Sequence, residues 1–84
     1  MKMKNSMTNT NIFSTDSFQL ASYLLSESVH LIETNKSNPK RVLFIFEESD
    51  LRKKLTDEFL AYKAKIEPHR FASAQKDLKQ IIYS

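Results

Sequence analysis

Eighty-four residues with no cysteine, no glycine, two histidines and 13 basic against 10 acidic side chains bound a single small domain with a thin core. Without glycine the usual P-loop and dinucleotide fingerprints are excluded, and without cysteine so are disulfide staples and thiolate chemistry; the latter also fits a reducing, cytoplasmic compartment. The net charge of +3 falls to +1 when Lys2 and Lys4 of the N-terminal stretch are set aside, because 11 basic and 10 acidic residues remain from Phe13 onward, a weak electrostatic footprint for nucleic acid.

Residues 1–12 are rich in Asn, Ser and Thr and lack the apolar run of a secretory signal, so a disordered polar tail is expected before one domain over 13–84. Ser14, Thr15 and Asp16 are N-cap residue types. Phe18, Ala21 and Leu25 follow on one face, with Leu20 and Leu24 beside them, which predicts a helix from about Asp16 to Ser26. Ser28 occupies the place of the glycine that commonly ends a helix, so a loose or slightly strained terminus is expected there.

Val29–Thr34 contains three β-branched residues, with Val29 and Leu31 alternating against His30, and reads as a strand. A polar turn through Asn35–Lys40, with Pro39 in it, leads to a second strand at Arg41–Phe46 and makes a β-hairpin. Ser49 is the next N-cap. Leu51, Leu55, Phe59 and Tyr62 then recur at helical spacing to about Lys65, with Asp50 and Lys54 at an i,i+4 spacing. Pro68 stops that helix and opens the last one, whose stripe is Phe71, Ala74, Leu78 and Ile81 or Ile82. The expected fold is α+β in the order α-β-β-α-α, an antiparallel β-hairpin packed with three helices. No run is long enough to cross a membrane; the longest apolar stretch is Val42–Phe46.

The run Leu20-Ala21-Ser22-Tyr23-Leu24-Leu25, the segment Asn38–Glu47 and the C-terminal Pro68-His69-Arg70-Phe71 with Leu78–Tyr83 resemble the DUF5659 domain of unknown function, a group of small bacterial and phage proteins. The resemblance spans Phe13 to Tyr83. It implies no activity, and it implies a glycine after the first helix where this chain has Ser28.

No residue pattern carries catalysis. Glu47 and Glu48 are adjacent carboxylates, but neighbouring residues at a strand end point apart, and both suit the start of the following helix. His30 and His69 are far apart and lack a second ligand or nucleophile at a useful spacing. No catalytic residue, metal or cofactor is therefore expected. The aromatic strand Arg41–Phe46 lacks the glycine and the βαββαβ order of an RNA-recognition sheet, which leaves core packing as its role.

Two surfaces remain. Val42, Phe44 and Phe46 alternate with Leu43 and Ile45, so the strand is apolar on both faces and asks for two covers; a hairpin with helices on one side supplies one. Its other face or its edge is the candidate surface for self-association or a protein partner. The expected function is a non-enzymatic interaction or regulatory module, a homo-oligomer or a partner-bound domain, encoded by phage or mobile elements on the resemblance. The alternative is a small DNA-binding regulator, with Leu51–Lys65 and Pro68–Ile82 as a helix-turn-helix pair and Arg70, Ser73, Lys76 and Lys79 as nucleic-acid contacts.

Overall fold

β-branched and aromatic residues cluster at two places along the middle of the chain, and strands form at both. A computed structural model describes residues 11–84 and runs β1 (Ile12–Thr15), α1 (Phe18–Ser26), β2 (Leu31–Asn35), β3 (Leu43–Glu47), α2 (Asp50–Leu60) and α3 (Pro68–Ile82). Of the residues read as a tail, 1–10 lie outside the described residues, while Ile12 belongs to β1. The class is α+β, with the expected hairpin of β2 and β3 and the three helices. The order β-α-β-β-α-α adds one strand to the expectation.

That strand changes the sheet. Its order is β1-β3-β2 and both pairings are antiparallel, so β3 is central and has no free edge. Ser14 and Thr15 pair with Ile45 and Phe44 instead of capping a helix. The cap falls to Ser17, whose Oγ accepts the Leu20 amide at 3.1 Å, and Thr15 Oγ1 accepts the Ser17 amide at the same distance. Asp16 forms an exposed ion pair with Arg41 (2.8 Å).

α1 is the hub of the helical layer, and α3 and α2 both pack against it. Leu20, Ala21, Tyr23 and Leu24 of α1 join Val29, Phe44, Phe46, Leu55 and Leu78 in one core, with Phe13, Phe18, Phe59, Phe71, Ile81 and Ile82 packed around it. Phe18 meets Phe44 edge-on at 6.4 Å between ring centroids, and Tyr23 stacks on Phe59 at 5.8 Å. Burial, and secondarily the nearby Glu27 and Glu58 carboxylates, raises the pKa of the Tyr23 phenol.

The helix ends show what a glycine-free chain does without its usual terminator. Ser28 and Tyr62 adopt left-handed backbone, with φ of 71° and 60°. Each follows a helix whose last carbonyls are met by the next amides: Val29 N–H donates to Leu24 (3.0 Å) and Lys63 N–H to Glu58 (2.8 Å). The strain expected at Ser28 is therefore present, and its twin at Tyr62 closes α2 at Leu60, five residues before the expected end. Tyr62 accordingly leaves the apolar stripe and is 97% exposed. α3 matches its expected bounds; Glu67 caps it through the Arg70 and His69 amides, and Lys36 Nζ reaches from the hairpin to the Ile81 carbonyl at 3.1 Å.

Candidate functional site

The pleat of β3 sends Phe44 and Phe46 into the core and Leu43 and Ile45 to the opposite face. Register extends both sets across the sheet. Phe13 and Thr15 stand beside Phe46 and Phe44 on the helix side, and Ile12 and Ser14 lie beside Glu47 and Ile45 on the outer side. β2 would invert part of this alternation, but a bulge between Leu31 and Glu33 inserts one residue. Leu31 and Thr34 thus both reach inward, while Ile32 and Glu33 are both exposed.

The outer face therefore carries Ile12, Ile32, Leu43 and Ile45, and none of the four belongs to the core or packs on it. Ile12 and Ile32 are each 45% exposed. At one end of the face a groove of about 620 Å³ is lined by Asn11, Ile12, His30, Ile32, Glu47 and Glu48. The Glu47 amide donates to His30 O (2.9 Å) and the Glu48 amide to Asn11 O (2.8 Å), so backbone bonds fix both walls of this groove. Among the described residues, the Glu33 and Glu47 carboxylates make no ion pair or hydrogen bond. The face is apolar in the middle, with Glu33 and Glu47 at its rim and Lys36, Lys40 and Arg41 in the hairpin turn at its other end.

Glu48 has a different task. Both its oxygens accept from Arg52, at 2.6 Å each from Nε and Nη2, and Oε1 also accepts the Ser49 amide. Arg52 is buried; it donates further to Thr56 Oγ1 (3.1 Å) and lies 3.9 Å over the Phe13 ring, which joins β1 to α2. The Arg52 hydrogen bonds lower the pKa of the Glu48 carboxyl. Glu48 is thus a structural anion at a helix start, and Glu47 is the carboxylate left exposed.

The residues singled out from sequence separate accordingly. Phe44 and Phe46 are core residues and take no part in a surface; Val42 precedes β3 and packs on the core; Leu43 and Ile45 remain on the open face. The free β3 edge that the hairpin reading called for is filled by β1. Ile12, Ile32 and Glu33 were not anticipated as site residues. The signal for Ile12 was lost in the polar tail, and that for Ile32 and Glu33 depends on a bulge that period-two reading does not register.

On α3, Ser73, Lys76 and Lys79 are exposed, while Arg70 is drawn to Glu27 of the α1 C-terminus at 3.0 Å. α3 lies along α1 as its principal partner, so α2 and α3 are not packed as a helix-turn-helix pair. His69 is exposed, with Nδ1 3.3 Å from Glu67 Oε2. Among the described residues no three His, Asp or Glu side chains converge on a point that would hold a metal, and no helix is long and apolar enough to cross a membrane.

No curated protein and no solved structure matches the chain. The model of the family described as "Domain of unknown function (DUF5659)" matches residues 10–84, which takes in every strand and helix described above, and the chain therefore belongs to the DUF5659 family.

Proposed function

We propose that the domain is a non-enzymatic protein-interaction module and that the outer face of its sheet is the contact surface. One observation carries this reading: Ile12, Ile32, Leu43 and Ile45 share a sheet face on which, among the described residues, no helix packs, while the core lies on the opposite face. An apolar sheet face is ordinarily covered by a second layer, and the described residues provide that layer on one side alone. Contiguous apolar surface rimmed by charge is the ordinary form of a protein contact site.

Photo-crosslinking tests it directly. A photoreactive side chain placed at Ile32 or Leu43 in the producing cell is expected to give discrete protein adducts, and the same group at Ser73 on α3 is not. Adducts concentrated at Ser73, or equal at all three positions, would overturn the assignment. A duplex of mixed sequence, titrated at two salt concentrations, checks the alternative reading, since phosphate contacts through Lys76 and Lys79 would weaken steeply as salt rises.

A further inference from the structure

We infer that the groove between α1, α2 and the connection to α3 binds a small zwitterion of the amino-acid type with an apolar side chain. This site is separate from the sheet face and does not depend on reading that face as a contact surface. The groove has a volume of about 330 Å³. That is the small end of the range of about 300–1,000 Å³ for small-molecule pockets. Leu51, Lys54, Leu55 and Glu58 recur at i, i+3, i+4 and i+7, so one stripe of α2 forms a wall. The left-handed turn at Tyr62 follows the end of α2, and Lys63 and Lys65 beyond it line the same groove.

Tyr23 of α1 is the observation that points to a ligand. The residue is 2% exposed and its ring stacks on Phe59. Among the described residues every side-chain polar atom sealed from solvent has a partner. The Tyr23 Oη makes no hydrogen bond among them, so it is not sealed and opens onto the groove that Tyr23 lines. Burial, and then the Glu27 and Glu58 carboxylates, hold its proton in place. It is therefore a neutral hydroxyl that accepts as well as donates.

The charges around it decide the class of ligand. Glu27 is already held by Arg70 at 3.0 Å. Glu58, Lys54, Lys63 and Lys65 form no ion pair among the described residues, although Lys54 and Glu58 stand at i,i+4 spacing. A simple anion in the groove would meet Glu58, and a simple amine would meet three lysines. A zwitterion answers both. Its ammonium donates to the Tyr23 Oη and the Glu58 carboxylate, and its carboxylate accepts from the lysines. Its side chain covers Leu51, an apolar residue of the wall that is 49% exposed.

The test titrates the full chain, labelled for amide NMR, with free leucine, with its amide, which lacks the carboxylate, and with N-acetyl-leucine, which lacks the ammonium. Leucine is expected to shift the amides of α2 and of residues 61–65 saturably, and to bind about tenfold more tightly than either analogue. Tyr23→Phe keeps the buried ring and should weaken leucine about tenfold. Glu58→Gln should abolish the preference over N-acetyl-leucine, and Lys63→Gln with Lys65→Gln the preference over the amide. Circular dichroism verifies that each variant is folded; if Tyr23→Phe is not, the exposed-charge variants carry the test alone. Absence of saturable shifts for leucine would overturn the inference. So would N-acetyl-leucine or the amide binding the parent as tightly as leucine, since the groove would then take a simple anion or a simple amine. Unchanged leucine binding in a folded Tyr23→Phe, or unchanged preferences in the charge variants, would overturn it as well.

Discussion

Replacing Glu48 with Gln preserves the shape of the side chain and removes its charge beneath a guanidinium that is almost out of solvent. Arg52 would retain Thr56 Oγ1 and the Phe13 ring, but the two 2.6 Å charge-assisted bonds to Glu48 would become weaker neutral ones. Breaking a buried ion pair from one side costs about 3–5 kcal/mol. The Glu48 side chain is 28% exposed, so water reaches part of the site, and about 2 kcal/mol is the appropriate figure. For a domain of this size that lowers Tm by roughly 8–16 °C. Adding Arg52→Met removes the stranded cation, and the double variant should recover to within about 1 kcal/mol of the parent. Thermal and urea denaturation of the four proteins close this cycle. The sign with pH follows from Glu48, whose carboxyl the Arg52 hydrogen bonds hold below the ordinary glutamate range: its contribution is complete above that range and disappears as pH falls through the folded pKa. The gap between parent and Glu48→Gln should therefore close in acid. A Tm change under 2 °C at pH 7, or a gap that widens in acid, would refute the reasoning; both thresholds lie well outside the expected range.

Three further outcomes are expected. Ser28→Gly and Tyr62→Gly relieve left-handed backbone at two exposed helix ends, and each should raise stability by about 0.5–1 kcal/mol in urea unfolding. Leu78→Ala opens a void where α3 meets the core and should cost about 2–5 kcal/mol, seen as a collapse of the urea midpoint. Lys36→Met removes the donor to the Ile81 and Ile82 carbonyls, so amide exchange in the last turn of α3 should quicken about two- to fivefold while exchange in α1 stays as it was.

Much of this fold was legible because it rests on local signals. The Ser49 cap, Pro68 at the start of α3 and the stripe Ala74–Leu78 are readable without knowing what lies across the core. β1 was not, since Ile12-Phe13-Ser14-Thr15 is short and its Ser and Thr mimic a helix start; the strand exists through its pairing with β3. The role of Arg52 was hidden for a related reason. Its i,i+4 spacing to Glu48 and Thr56 is visible, but arginine reads as a solvent residue until Phe13 arrives over it. On the candidate surface, the two-faced character of Val42–Phe46 was readable and located the sheet. Which neighbours completed the open face depended on register and on the β2 bulge, both set by tertiary pairing.

The sheet order β1-β3-β2 also sets a sequence of events during folding. Asn35 and Leu43, at the hairpin end, are 8 positions apart, whereas Thr15 and Phe44 are 29 apart. Closing the longer span costs about 1 kcal/mol more in chain entropy, so the hairpin pairs first and β1 joins afterward. Until it does, the most apolar strand of the protein displays a bare backbone edge beside Phe44 and Phe46, the type of segment that seeds aggregation. The short N-terminal strand is then a gatekeeper as well as a structural member. Shortening the chain past Ile12 should lower the soluble yield on refolding more than the lost contacts alone would suggest.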